Sequence, residues 1–186
     1  MEDEHIIELY FARSEAAIVE TSAKYGAFFR GISRNILNSE QDAEECVNDA
    51  YLSAWNSIPP KRPDNLRAYI ARIVRNLSLN RWNKLNAAKR GGGEVPLALE
   101  ELEGCIPAAD TVQRETDRAE LAGVLNSFLR GLGGEKRDVF LKRYWYLVPV
   151  KEIAEQYGMS ESKVKSMLLR TRGKLREFLE KEGISI

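Results

Sequence analysis

The chain has 186 residues, 44% of them hydrophobic, and its 28 basic side chains balance its 28 acidic ones. No stretch reaches the roughly 20 consecutive apolar residues of a membrane span, and the N-terminal MEDEHIIELYF lacks the basic start of a signal peptide. We therefore expect a soluble, cytoplasmic protein of one or two modest domains. The single histidine, His5, and two distant cysteines, Cys46 and Cys105, argue against an enzyme, a metal site or a bound cofactor.

Charge is distributed unevenly along this neutral chain. Residues 1–60 hold eleven acids and four bases, whereas residues 61–90 hold nine bases and one acid. Residues 91–120 return to eight acids and two bases, and residues 160–176 carry six bases and one acid. Two basic stretches separated by acidic ones predict two surfaces for nucleic acid in a protein that also binds something else.

The first part of the chain shows helical periodicity. Apolar residues recur at three- and four-residue spacing from Glu4 to about Ile18 and again from Thr21 to Leu37. The next predicted helix, DAEECVNDAYLSAWNSI, follows Ser39 or Asp42 as its cap and stops at Pro59-Pro60. One of its faces is apolar, and the opposite face is rich in acids.

A basic helix is predicted from about Asn65 to Lys84. The sequence KRGGG at 89–93 then breaks the helical pattern, and the acidic stretch that follows contains two prolines, so we interpret residues 89–110 as a linker. Helical periodicity resumes near Thr111. Because no segment shows the alternation of a strand, the sequence predicts an all-α fold of two small helical domains.

Residues 149–176, PVKEIAEQYGMSESKVKSMLLRTRGKLR, have the pattern of a helix-turn-helix. Ala154 is small enough for two helices to approach closely, and Gly158 stands where the turn needs a positive φ. Ser160 is a natural N-cap for the second helix, and Val164 belongs to the core between the helices. The second helix carries six bases against Glu161 alone, which suits a helix that lies in a DNA major groove.

Three segments, taken in their order along the chain, resemble the sigma-70 family of bacterial RNA polymerase sigma factors, in its extracytoplasmic-function subgroup. DAEECVNDAYLSAW is similar to the polymerase-binding helix, NLRAYIARIVRNLSLNRW to the promoter −10 segment, and KRDVFLKRYWYLVPVKEIAEQYGMSESKVKSMLLRTRGKLREFL to the −35 reading domain. The resemblance implies a region 2-like domain at 1–88, the linker at 89–110 and a region 4-like domain at 111–186. Pro149 departs from the pattern, since the subgroup usually has a small polar cap there.

Core RNA polymerase is the first partner that the resemblance implies, through its β′ clamp and its β flap. An acidic helix face needs a basic partner, and the clamp coiled-coil is one. The candidate residues on the predicted 42–56 helix are Asp42, Glu44, Glu45, Asn48, Asp49 and Ser53.

Promoter DNA is the second implied partner. At −10, an amide could bind a flipped base and cations could bind the phosphates of the melted strand, with Asn76 nearest the base pocket. The −10 candidates are Arg67, Arg72, Arg75, Asn76, Asn80, Arg81 and Lys84. The −35 candidates are Ser160, Ser162, Lys163, Lys165, Ser166, Leu169, Arg170, Arg172 and Lys174, with Arg172 and Lys174 expected mainly at phosphates.

Some alternatives stay open at this stage. The linker resembles the segment that threads towards the polymerase active-site cleft, but it could equally be a flexible tether. The rival function is a helix-turn-helix transcription regulator that binds duplex operator DNA by itself. Residues 61–90 argue against that rival, because they are too basic for a sensor domain. The sequence does not decide whether an anti-sigma factor covers the binding faces.

Overall fold

The computed structural model describes residues 2–86, 94–102, 105–107 and 115–184. Within these ranges the regular structure is helical and contains no strand, which confirms the predicted all-α class. The chain divides into two compact units, Met1–Gly91 and Gly92–Ile186. None of the described helices is long and apolar enough to cross a lipid bilayer.

The first unit is built on three long helices and one short one. It contains α1 (Asp3–Phe11), α2 (Ala16–Leu37), α3 (Glu40–Ser57) and α4 (Leu66–Asn86). α2, α3 and α4 pack against one another, and α1 packs against α2. Their shared core consists of fully buried apolar side chains that recur at helical spacing, among them Tyr10, Phe29, Ala43, Ala50, Ile58, Leu66, Ile70 and Val74.

The expectation that the first helix extends to about Ile18 is wrong. α1 ends at Phe11, and Arg13 adopts a left-handed conformation with φ of 52° before α2 begins. The guanidinium of Arg13 donates a hydrogen bond to the carbonyl oxygen of Trp55 at 2.6 Å. Apolar periodicity could not reveal this turn, because both helices bury their apolar residues in the same core.

Local capping fixes both ends of α3 and the start of α4. Ser39 caps α3, since its Oγ accepts a hydrogen bond from the backbone N–H of Asp42 at 3.3 Å. α3 ends before the extended Ile58, which is followed by Pro59, as predicted. At α4, Oδ1 of Asn65 accepts a hydrogen bond from the N–H of Ala68 at 2.8 Å. These caps set the two helices that carry the candidate residues of the first unit.

The second unit contains the helix-turn-helix. Its helices are α5 (Glu94–Leu102), α6 (Glu115–Gly131), α7 (Gly134–Tyr144), α8 (Val150–Tyr157) and α9 (Glu161–Lys181). α8 and α9 pack on each other and on α7, and α6 contacts α9. The core between them includes Phe128, Val139, Phe140, Leu147, Ile153, Ala154, Val164, Leu168, Leu175 and Leu179.

The predicted turn of the helix-turn-helix is confirmed residue by residue. Gly158 has φ of 60°, a conformation that glycine adopts without the strain a side chain brings. Ser160 is the N-cap of α9, and its Oγ accepts a hydrogen bond from the N–H of Lys163 at 3.2 Å. Ala154 and Val164 are buried between the helices. Pro149 stands at the N-cap of α8 without a side-chain hydrogen bond, so this cap is weaker, as the sequence indicated.

The stretch interpreted as a linker contains a helix. α5 lies within 89–110 and contacts α7 of the second unit, with Ala98 buried. Pro96 and the neighbouring glycines indicate a break in the helical pattern, so the sequence predicts no helix here. The predicted breaker at 89–93 and the predicted restart near Thr111 lie outside the described residues.

Candidate nucleic-acid and protein-binding surfaces

The acidic face of α3 lies opposite the stripe that this helix buries. Glu44, Glu45, Asn48 and Asp49 are exposed, whereas Asp42 and Ser53 are half-buried. Cys46 is 2% exposed on the buried stripe and is a small core residue. We use the name acidic face for the six candidates of the sequence analysis, Asp42, Glu44, Glu45, Asn48, Asp49 and Ser53.

An apolar side chain that was not predicted from the sequence stands at the C-terminal end of the acidic face, on the same side of α3. Leu52 is 58% exposed, one turn after Asn48 and Asp49 and two turns after Glu45. At protein-binding surfaces, apolar residues adjoin polar ones. The pattern gave a signal for it, because Leu52 falls outside the apolar stripe that the rest of α3 follows.

Arg81 of α4 joins two members of the acidic face. Its guanidinium binds the carboxylate of Asp42, and its Nη1 lies 2.7 Å from Oε2 of Glu45. A hydrogen bond from Ser39 and the pairing with Arg81 hold the pKa of Asp42 below its ordinary value. This candidate for −10 DNA therefore contacts α3 in the free chain, and its role at the −10 strand stays a prediction.

The other candidates on α4 divide by their surroundings. Arg72, Asn76, Asn80 and Lys84 are exposed and follow one another at four-residue intervals, so they form one stripe along the helix, which we call the α4 stripe. Arg67 is exposed and its guanidinium lies over the ring of Phe28, 4.2 Å from the centroid. Arg75 is half-buried, and burial lowers its pKa. The α4 stripe joins two amides to two cations on a single surface.

The second helix of the helix-turn-helix exposes most of the residues predicted for it. Val164 and Leu168 are buried, and Leu169 is 62% exposed on the opposite side. The exposed candidates on or next to α9 are Ser160, Ser162, Lys163, Lys165, Ser166, Leu169, Arg170 and Lys174. An exposed apolar residue between cations can contact a thymine methyl while its neighbours bind polar base edges.

A cationic cleft of about 480 Å³ borders this surface. Lys163, Arg170 and Lys174 of α9 line it together with Lys136, which comes from α7. Lys136 could not be predicted from the sequence, because the periodicity of α7 does not indicate which helix its polar face meets. The cleft adds a cation from a second helix to the charged flank of α9.

Arg172 is placed differently from the other candidates on α9. It is half-buried, and its Nη1 donates a hydrogen bond to the hydroxyl of Tyr144 at 2.6 Å. The same nitrogen lies 3.4 Å from Oε2 of Glu101 on α5. Its predicted phosphate contact stays a prediction, and in this structure the guanidinium is committed to partners inside the second unit.

Comparison with known proteins connects both units to one family. Residues 23–88 match Sigma-70 region 2, and residues 124–175 match Sigma-70 region 4. The RNA polymerase sigma-E factor of Streptomyces coelicolor is 31% identical over 150 residues, which are 79% of this chain and 77% of that protein. The RNA polymerase sigma-E factor of Streptomyces avermitilis is 26% identical over 82% of this chain and 79% of that protein. The chain belongs to the sigma-70 family of RNA polymerase sigma factors, in its extracytoplasmic-function subgroup.

Proposed function

We propose a division of labour between the two units in carrying out the function of this family, promoter-specific transcription initiation with core RNA polymerase. The first domain, 1–88, binds core polymerase and the −10 element, and the last, 111–186, binds the −35 element. Residues 89–110 connect them. The observation that carries this proposal is the pairing of each family match with an exposed surface of suitable chemistry: the acidic face and the α4 stripe in one unit, and α9 in the other.

The acidic face of α3 is the surface for core polymerase. Its carboxylates attract a basic coiled-coil such as the β′ clamp, and electrostatic complementarity of this kind raises the association rate and fixes the register of the two partners. Leu52 adds an apolar side chain that becomes buried on binding. The β flap contacts the second unit.

The α4 stripe binds the melted −10 strand. Separating a base-pair step costs on the order of 1.4 kcal/mol of stacking, and the bound strand must recover that energy from the protein. Asn76 and Asn80 offer donors and acceptors to an unpaired base, and Arg72 and Lys84 offer charge to the phosphates on either side. No nucleotide hydrolysis is needed, since sigma factors act by binding and not as enzymes.

α9 reads the −35 element in the major groove. Lys165 and Arg170 contact guanine, and Lys174 contacts a phosphate. We place the protein in the cytoplasm, where its polymerase and promoters are. An anti-sigma factor that covers the acidic face or α9 would regulate it.

Transcription by purified core polymerase with and without this protein tests the proposal. We expect new transcript starts that share a −10 and a −35 motif. The protein alone should bind promoter duplex weakly, whereas a helix-turn-helix regulator would bind operator DNA without polymerase. Strong, sequence-specific binding by the free protein, with no new starts, would support the regulator instead.

Charge reversal on the acidic face tests the assignment of the polymerase surface. The double substitution Glu45→Lys with Asp49→Lys should weaken binding to core, because both side chains are exposed and would repel a basic partner. Glu20→Lys on α2 makes the same kind of change away from the acidic face and is the control. Equal affinity of all variants in a titration with core would contradict the assignment.

A further inference from the structure

One glutamate of α5 binds three side chains from two other helices. Glu101 accepts hydrogen bonds from Nη2 of Arg143 at 2.6 Å and from Nε of the same residue at 3.3 Å. Its Oε2 also accepts a hydrogen bond from the hydroxyl of Tyr144 at 2.8 Å. Arg172 completes the group from α9. We call these four residues, Glu101, Arg143, Tyr144 and Arg172, the Glu101 network.

The network is charged and largely removed from solvent. Arg143 is 2% exposed, and a buried guanidinium requires a counter-charge because removal of its partner leaves an uncompensated ion. Burial opposes ionisation of Glu101, but the hydrogen bonds from Arg143 and Tyr144 outweigh it and hold the pKa of this carboxyl below its ordinary value. Burial and the bond to Glu101 raise the pKa of the Tyr144 hydroxyl, so the hydroxyl stays protonated and donates.

Arg172 connects this buried group to the DNA-reading helix. Its Nη1 donates to the Tyr144 hydroxyl at 2.6 Å, and that hydroxyl donates in turn to Glu101. Arg172 lies two residues after Arg170, which faces outward on the same helix. The network therefore fixes one side of α9 to α7 and α5, at the level of the residues that would touch bases.

We propose that Glu101 is a positioning residue for −35 recognition: through Tyr144 and Arg172 it sets the rotation of α9 about its own axis. The proposal rests on the proposed function of α9. Apolar contacts of Val164, Leu168 and Leu175 hold α9 against its neighbours but tolerate small rotations, whereas hydrogen bonds are directional.

Small rotations matter at the groove. The side chains of a helix reach about 5–6 Å from its axis, so a rotation of about 10° moves a base-contacting group by about 1 Å. A site held more loosely than about 0.5 Å loses much of its discrimination. On this proposal, a helix of the segment predicted as a linker takes part in −35 recognition.

The variant Glu101→Gln tests this proposal in the holoenzyme. The amide keeps the size of the side chain but removes the charge and one acceptor oxygen. Glu100→Gln is the matched control, because Glu100 is exposed on the same helix and loses the same charge. The readout is transcription from a promoter library randomised at both elements, scored separately at −10 and −35.

We expect Glu101→Gln to flatten the base preference at −35 by about fivefold, the scale of one lost base contact, while the preference at −10 remains. Glu100→Gln should keep both preferences. An unchanged −35 preference would mean that Glu101 serves only as the counter-ion of Arg143, and a sharper or stronger −35 interaction would mean that it masks Arg172 from DNA. Either result overturns the proposal. If the wild-type holoenzyme showed no base preference at either −10 or −35, that result would instead contradict the proposed function itself.

A double-mutant cycle guards against a general loss of folding. If Glu101 acts through Arg172, Arg172→Gln should flatten the −35 preference by itself, and adding Glu101→Gln should change little more. If the effects of Glu101→Gln and Arg172→Gln on the −35 base preference multiply in full in the double variant, the proposal is overturned. It is also overturned if Arg172→Gln lowers transcription uniformly and leaves the base preference unchanged. Thermal melting of each variant sets the working temperature below its unfolding transition.

Discussion

Arg81 of α4 lies against Glu45 of α3, with its Nη1 2.7 Å from the Oε2 of that carboxylate. A cation proposed for the −10 strand thus neutralises part of the surface proposed for core polymerase. All three groups of the Asp42–Arg81–Glu45 cluster are partly exposed, so the pairing stabilises the unit by about 0.5–1 kcal/mol at most. The ion pairs of Arg81 therefore matter more for what the two surfaces bind than for the stability of the fold.

Arg81→Gln should affect binding to the −10 strand less than Arg72→Gln does. Arg72 belongs to the exposed α4 stripe, whereas the charge of Arg81 is already compensated by two carboxylates. The measurement is the affinity of holoenzyme for a promoter with a preformed −10 bubble, taken at several salt concentrations. We expect Arg72→Gln to lower the salt dependence by about one phosphate contact. Equal losses for the two variants would show that Arg81 leaves its carboxylates and contacts DNA.

Leu52→Ala should weaken binding to core polymerase without affecting stability. An exposed leucine that becomes buried at an interface contributes about 1–2 kcal/mol more than alanine, or roughly a 5- to 30-fold change in affinity. Val19→Ala is the control, because Val19 is 64% exposed on α2 and Leu52 is 58% exposed on α3. Equilibrium titration of labelled protein with core measures both. Similar affinities for the two variants would remove Leu52 from the interface.

Asn76→Ala should reduce strand opening at one promoter position. An amide that binds an unpaired base discriminates among bases, so the loss should be largest on the preferred −10 base and small on the others. Lys84→Ala, at the end of the same stripe, should lower opening on every sequence alike. Permanganate reactivity of unpaired thymines measures opening on matched promoters. A uniform loss with Asn76→Ala would make Asn76 another backbone contact.

Acid should weaken the Glu101 network, but only once the pH falls below the value at which a glutamate in an unfolded chain takes up its proton. Because the folded-state pKa of Glu101 is depressed, its stabilising contribution is complete above the unfolded value, about 4.3, and is lost as pH falls through the folded value. Asp3 and Asp42 of the first unit also have lowered pKa values, so global unfolding cannot isolate this effect. Amide hydrogen exchange resolved to α5 and α7 can.

In that experiment, protection of α5 in the wild type should fall as pH drops below about 4 by more than the intrinsic exchange rates account for. Glu100→Gln should behave in the same way. Glu101→Gln should show weaker protection at neutral pH and little further pH dependence. A wild-type profile in α5 that matches Glu101→Gln across the whole range would mean that the carboxylate contributes no docking energy.

Sequence reasoning succeeded where local chemistry determines structure. The positive φ of Gly158 and the caps at Ser39 and Ser160 depend on a few neighbouring residues, so one sequence was enough to predict them. The roles of the α3, α4 and α9 surfaces came from the family resemblance and stay predictions. The exposure of Arg170 and the burial of Val164, on different faces of the same helix, also follow from helix geometry.

The parts that sequence reasoning missed depend on partners far along the chain. Glu101 and Arg172 are 71 positions apart, and nothing in either neighbourhood indicates that they meet. Arg81 has the charge expected of a DNA contact, yet it pairs with α3 because α3 and α4 pack side by side. Charge can be read from a sequence, but the direction in which a long cation points is set by packing.

Arg170→Ala and Lys174→Ala should separate base reading from backbone binding at −35. Both side chains are exposed and both line the cleft with Lys136, so they share one charged surface. Arg170 lies next to Leu169 on the face turned away from the core, where a bidentate contact with guanine contributes roughly 1–3 kcal/mol of discrimination. Its loss should relax the preference at one −35 position.

Lys174→Ala should instead lower transcription from all promoters and flatten the salt dependence by about one phosphate contact. Lys136→Ala should resemble Lys174→Ala, because Lys136 reaches the same cleft from α7. Lys181→Ala, an exposed cation at the end of α9, is the control and should change neither quantity. The measurement is transcription from a −35 library at two salt concentrations with each variant. If Arg170→Ala keeps the wild-type base preference and loses only overall level, Arg170 is a phosphate contact like Lys174, and another exposed side chain of α9, such as Lys165, must read that base.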